Sequence, residues 1–138
     1  TGFPGETEED HQILLDFIDE MEFDRLGVFT YSPEEDTKAA SLDNQVDEEV
    51  KLCRKDEIME LQQEISMDKS ERLVGKEIEV IIEGKASDED VYVGRSYMDA
   101  PSVDGYVFIN SEEELMSGDF AKVRIVKAME YDLIGDLI

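Results

Sequence analysis

In Glu77-Ile78-Glu79-Val80-Ile81-Ile82-Glu83 and, later in the chain, Ala121-Lys122-Val123-Arg124-Ile125-Val126, Ile78, Val80 and Ile82 alternate with Glu79, Ile81 and Glu83, and Ala121, Val123 and Ile125 with Lys122, Arg124 and Val126, a period of two. That period places one set of side chains inside a sheet and the other in solvent. Val91 to Ser96 and Tyr106 to Ile109 lie between the two stretches, and Tyr131 to Leu137 follows them. The intervening segments are rich in Asp, Ser, Gly and Pro. Residues 73–138 therefore read as five short strands, with Gly118-Asp119 opening the fourth. No helix in that region is long enough to cover a flat sheet. A small closed antiparallel barrel, OB-like or SH3-like, is the arrangement that leaves no edge exposed.

Upstream the period changes to that of a helix. From about Asp47 to Arg72, Val50, Cys53, Ile58, Leu61 and Ile65 fall near one face of a helix that bridges to the barrel. Residues 34–46 are a polar connection. Before them, Thr7 and Asp10 form an acidic capping box that opens a helix with Ile13, Leu14, Phe17, Ile18 and Met21 on one stripe. Leu26-Gly27-Val28-Phe29-Thr30-Tyr31 then reads as a buried strand ended by Ser32-Pro33. A glycine turn, a helix and a buried strand together make one βα portion of a larger α/β sheet. The fold class is α+β: residues 1–46 a partial βα unit, 47–72 a bridging helix, 73–138 the barrel.

The charge balance constrains partners. The 37 acidic residues outnumber the 13 basic ones, giving a formal net charge of −24. A polyphosphate partner would be repelled where nucleic-acid binders gain from counterion release, whereas a basic protein surface would be attracted. From Leu73 onward there are 15 acids and 6 bases. One cysteine, Cys53, cannot form an internal disulfide, and no apolar run approaches the roughly 20 residues of a membrane span. A cytoplasmic protein is expected. The chain opens at Thr1 inside a glycine-rich run, without an initiator Met or a signal peptide, as a piece of a longer protein would.

Few residues suggest chemistry on their own. Gly2-Phe3-Pro4-Gly5-Glu6-Thr7 sets glycines before a helix N-terminus, where backbone N–H groups can hold an anionic ligand or glycine can simply serve a tight turn. Cys53, on the apolar face, reads as a buried thiol, and His11, among Glu8, Glu9 and Asp10, as a solvated side chain. Ser87-Asp88-Glu89-Asp90 has hard oxygen ligands but neither the glycine nor the spacing of a calcium loop.

The order of motifs says more. GFPGETEED, FDRLGVFTYSPEEDTKAA, a helix containing LQQEIS, then VGRSYMDAPSVDGYVFI and AMEYDLIG closely resemble the C-terminal part of the bacterial methylthiotransferases, over essentially the whole chain. Within them the resemblance is to the branch that modifies an aspartate of small-subunit ribosomal protein twelve. These are radical S-adenosylmethionine enzymes with two 4Fe–4S clusters and a terminal TRAM domain. The resemblance implies that residues 1–46 end the radical-SAM barrel, with Gly2, Gly5 and Glu6 near the adenosylmethionine pocket and the strand ending at Phe29-Thr30-Tyr31 lining the same cavity. Residues 73–138 would be the TRAM domain.

The branch assignment also rests on the resemblance. The tRNA-modifying relatives usually carry an arginine where this chain has Glu34 and Glu35, and a basic TRAM domain. Asp36 stands where the family usually has glycine, and Lys38 where it often has proline. The clustered cysteines of both iron–sulfur sites are not in this chain, so it would be inactive by itself. Its expected part is recognition of the basic ribosomal protein, with Arg95, Asp99, Asp104, Tyr131 and Asp132 as docking residues. Asp99-Ala100-Pro101 and Asp104-Gly105 equally suit turns, and Arg95 an ion pair. A competing reading is an RNA-binding barrel presenting Tyr92, Tyr97, Tyr106 and Phe108 to bases, with Lys76, Lys85, Arg95, Lys122, Arg124 and Lys127 supplying the charge. A third is a stand-alone interaction protein that never had a catalytic half.

Overall fold

The computed structural model describes residues 1–86 and 90–138 of the chain. It divides into two compact units, Thr1–Ile65 and Ser66–Ile138. Helix α1 spans Glu8–Met21 and helix α2 spans Glu48–Glu71, with one turn of 3-10 helix at Ala39–Ser41 between them. Among the described residues, no helix is long and apolar enough to cross a membrane.

In the first unit α1 starts where the capping box requires. The Thr7 hydroxyl accepts the Asp10 N–H at 3.2 Å, and the Thr7 N–H donates to the Asp10 carboxylate at 2.9 Å. Two orphan donors of the first turn are thereby satisfied, which is worth about 1 kcal/mol. Ile18, Ile58 and Ile65 form the core, with Leu14, Leu15, Phe23, Leu26, Val28 and Leu61 packed around them. Ile13, Phe17 and Met21 are about half exposed or more, so the predicted stripe on α1 is rotated toward Leu14, Leu15 and Ile18.

The buried strand expected at Leu26 to Tyr31 is not formed. None of these residues is buried, and Phe29 is 85% exposed. The segment is extended, and among the described residues its backbone partner is Thr1: the Thr1 amine donates to the Phe29 carbonyl and the Tyr31 N–H to the Thr1 carbonyl, both at 2.7 Å. This alternation is that of parallel strands, confined to one residue. Asp36, at the family's usual glycine position, has φ +63°, the left-handed conformation that glycine adopts without strain.

The second unit is a closed five-stranded barrel. Strands β1 (Glu77–Lys85), β2 (Val91–Ser96), β3 (Val107–Asn110), β4 (Phe120–Ala128) and β5 (Leu133–Leu137) run in the order β1-β2-β3-β5-β4, and β4 returns to β1. The barrel is mixed, not wholly antiparallel as expected. β3 and β5 pair in parallel, Val107 opposite Leu133 and Asn110 opposite Asp136, because β4 intervenes and returns the chain in the direction of β3. This Greek-key closure selects the OB-like alternative. Shifts in register at Ile82/Gly84 and Ile125/Lys127 are the bulges that let the sheet coil shut.

Alternation decides the core. Val80, Ile82, Tyr92, Val107, Ile109, Ala121, Val123, Ile125 and Leu133 are buried inside, and each large aliphatic side chain among them stabilises the fold by about 1.5–3 kcal/mol.

Candidate functional site

The glycine loop of the first unit is built around Glu6. Its carboxylate accepts the Gly2 N–H at 3.0 Å, the Thr1 hydroxyl at 3.1 Å and the Arg54 guanidinium at 2.8 Å. Gly2 has φ +80°, and a Cβ there would stand 2.9 Å from Lys51 Cδ, so glycine is required by both backbone and space. Three N–H groups of the loop bond internally: Gly2 to Glu6, Gly5 to the Asn44 carbonyl at 2.9 Å, and Glu6 to the Phe3 carbonyl at 2.9 Å. These three bonds hold the loop in its turn.

Two cations beneath the loop escaped sequence reading. Lys51 and Arg54 are 2% and 6% exposed, on the face of α2 where Val50 and Cys53 were expected to pack. Lys51 Nζ donates to the Tyr31 carbonyl at 3.1 Å, pairs with Glu48, and stands 5.4 Å from the centre of the Tyr31 ring. Arg54 bridges Glu6 and, at 3.3 Å, Glu8. The signal in the sequence is a 51, 54, 58, 65 spacing, but only the paired acids reveal that its first two members are inside.

Burial alone would raise the Glu6 carboxyl, yet the Gly2 N–H, Arg54 and Thr1 outweigh it and hold the group below its ordinary range. A folded-state value below the unfolded one means that ionised Glu6 stabilises this unit above the ordinary value near 4.3, a contribution lost as pH falls through the folded value. Glu6→Gln should lower stability by about 1.5 kcal/mol at pH 7. Thermal unfolding across pH checks this: the gap between the two proteins should close in acid, and a gap independent of pH would refute it.

His11 and Cys53 reverse their expected places. His11 is 1% exposed, with Nε2 held at 2.7 Å by Glu57, whereas Cys53 is exposed and donates to the other Glu57 oxygen at 3.4 Å. The histidine leaves water because Glu57 on α2 supplies a charged partner. Hydrogen bonds from His11 and then Cys53 hold Glu57 low, and Glu57 in turn pushes the Cys53 thiol up. A raised thiol carries little thiolate and is a poor nucleophile. Among the described residues no group of three or more His, Cys, Asp or Glu could hold a metal ion. Ser87, Asp88 and Glu89 lie outside the described residues, and Asp90 pairs with Lys85 at 3.4 Å.

On the barrel, the five docking candidates meet around the loop from β2 to β3. Arg95 Nε donates to Glu83 at 2.9 Å and its Nη1 to the Asp99 carbonyl at 3.4 Å. The Ser96 hydroxyl donates to the buried Asp99 carboxylate at 2.6 Å, and Asp104 accepts the Ala100 N–H at 2.8 Å. Asp132 accepts the Tyr106 N–H at 2.8 Å, and Gly105 lies directly against the Tyr131 carbonyl. VGRSYMDAPSVDGYVFI and AMEYDLIG, far apart in sequence, thus form one junction. The Tyr131 side chain is half exposed there, while each acid takes a local hydrogen bond.

The aromatics proposed for base stacking are divided. Tyr92 is in the core, Tyr106 and Phe108 are half-buried with ring centres 6.5 Å apart, and Tyr97 is 82% exposed. Bases on β4 face acids on both neighbouring strands: Arg124 opposite Glu77 and Asp136, Lys122 opposite Glu79. Arg124 reaches Glu77 at 2.7 Å. A phosphate on Arg124 would have to displace Glu77.

Residues 74–138 match the family described as the TRAM domain. The chain is 54% identical over 135 residues, 98% of its length, to the ribosomal protein uS12 methylthiotransferase RimO of Lachnoclostridium phytofermentans, and 56% identical over 138 residues to that of Pelotomaculum thermopropionicum. It is 53% identical over 137 residues to that of Aeromonas salmonicida. It spans 31% of the length of the first two relatives and 30% of the third. The chain thus carries a TRAM domain at residues 74–138 and is similar, over nearly all of its own length, to a segment of the RimO methylthiotransferases.

Proposed function

We propose that this chain is the substrate-docking part of a methylthiotransferase which, when complete, inserts sulfur at the β-carbon of an aspartate of ribosomal protein uS12 and methylates it. The observation that carries the reading is the charge of the barrel. From Leu73 onward 15 acids face 6 bases, and Lys85, Arg95 and Arg124 are each held in an ion pair. The excess is negative, and uS12 would be drawn to it as a basic protein. Such complementarity speeds encounter and sets orientation more than it adds affinity. Arg95, Asp99, Asp104 and Asp132 shape the junction loop by their hydrogen bonds, and Tyr131 presents its ring to the partner.

S-adenosylmethionine and the two 4Fe–4S clusters would supply the radical chemistry in the complete enzyme. One cysteine cannot supply the ligands of either cluster. The clusters are therefore assigned to the remainder of the enzyme, and this chain's own residues bind and orient, with Gly2, Gly5 and Glu6 near the adenosylmethionine pocket. Modification of a ribosomal protein places the work in the cytoplasm.

Titration of the 138-residue chain with purified uS12 and with tRNA, at increasing salt, tests the reading. Binding of uS12 should weaken roughly tenfold or more from low to physiological salt, with tRNA bound far more weakly. Tight tRNA binding without uS12 binding would favour the second reading, an RNA-binding TRAM module using Lys122, Arg124 and Lys127 along β4.

A further inference from the structure

The outer face of the barrel carries a depression of about 650 Å³, to which Arg95 alone of the docking candidates contributes. Its floor is Ile81, the residue of β1 that pairs with Arg95 on one side and Phe120 on the other. Its walls include Tyr97, just past β2, and Phe120, which opens β4. Both rings are turned to solvent, 82% and 70% exposed, although each could have been a polar residue at no cost to the core. Glu77 and Glu79 complete one rim.

The charges have separate roles. Arg95 pairs with Glu83, and Glu77 with Arg124. Glu79 is exposed, and Lys122, opposite it in register, lines a neighbouring depression with Glu113 and Leu115 instead. What the groove offers is the Glu79 carboxylate, beside the paired Glu77, together with two exposed aromatic rings over an aliphatic floor. A phosphate would meet repulsion there. A lysine or arginine can lay its stem on Ile81, set its head on Glu79, and gain from ring faces within about 6 Å.

We propose that the groove of Glu79, Ile81, Tyr97 and Phe120 docks an extended, lysine- or arginine-bearing segment of a basic protein; resting on the docking reading above, that protein is uS12. Tyr97→Ala, Phe120→Ala and Glu79→Gln are compared with the unaltered chain by titration with purified uS12 and, separately, with a synthetic decapeptide of alternating Arg and Leu. All three positions are exposed, and circular dichroism melts verify that the barrel persists. Each variant should weaken both ligands about threefold to tenfold, and Glu79→Gln should also flatten the salt dependence. Glu112→Gln and Glu114→Gln, exposed acids outside the groove, should change binding by less than about twofold.

The failures separate. If uS12 binds the unaltered chain and the three variants alike, the groove is overturned while docking stands. If the peptide binds and the variants weaken it, but uS12 does not bind, the groove stands as a basic-segment site and the docking reading falls. If Tyr97→Ala and Phe120→Ala instead weaken a single-stranded RNA oligonucleotide and neither basic ligand, the groove serves nucleic acid and the proposal is wrong.

Discussion

Gly105→Ala is expected to cost the barrel about 3 kcal/mol or more, enough to unfold most of a marginally stable domain. The added methyl would overlap the Tyr131 carbonyl oxygen and stand 2.8 Å from its carbon. Neither neighbour can yield cheaply. Tyr131 is followed at once by Asp132, whose carboxylate caps the Tyr106 N–H and whose carbonyl accepts the Met129 N–H. Displacing that backbone opens the junction where β3 begins and shifts β5, which pairs with both β3 and β4. Urea unfolding followed by circular dichroism measures the loss. Gly27→Ala is the control, because nothing stands within 4 Å of a Cβ there. Equal stability of the two variants would contradict this account.

Arg54→Ala should destabilise the first unit by a similar amount, about 3 kcal/mol, for a different reason. The guanidinium is buried and answers the Glu6 carboxylate, the Glu6 carbonyl and Glu8. Removing it strands a partly buried carboxylate, and breaking such a pair costs far more than the pair contributes over an apolar replacement. Arg54→Met, which fills the space, should still lose most of the stability because Glu6 remains charged. The double variant Arg54→Met with Glu6→Gln should recover part of it. Hydrogen exchange of α1 amides localises the effect, since loss of protection confined to the barrel would refute the assignment.

How far the sequence disclosed this molecule depends on which interactions carry each part. The barrel was legible because Val80, Ile82, Val123 and Ile125 need only alternate to declare an inside and an outside. The direction of β5 was not, since alternation carries no record of which neighbour a strand finds or which way it runs. His11, Lys51 and Arg54 were misjudged or overlooked because each is buried by a charged or polar partner on another element, Arg54 by acids more than forty residues away. Local pattern treats all three as surface. Leu26 to Tyr31 was read as a buried strand from composition, yet a strand also requires a neighbour, and Thr1 pairs with it at one point only. For the candidate site, the structure brings the residues named from the motifs together around one loop, but Phe120 was passed over. The same alternation that put Ala121 inside puts Phe120 outside, and an aromatic facing water was the clue.

The parallel seam between β3 and β5 also sets the tempo of folding. β1 and β2 meet through a short connection, whereas β4 must return to β1 across β2 and β3, and β5 must then slot between β3 and β4. Loop-closure entropy is spent before these distant pairings return any energy, which places such barrels among the slower small domains, in milliseconds to seconds. β5 completes two seams, so its loss would open the barrel on both sides.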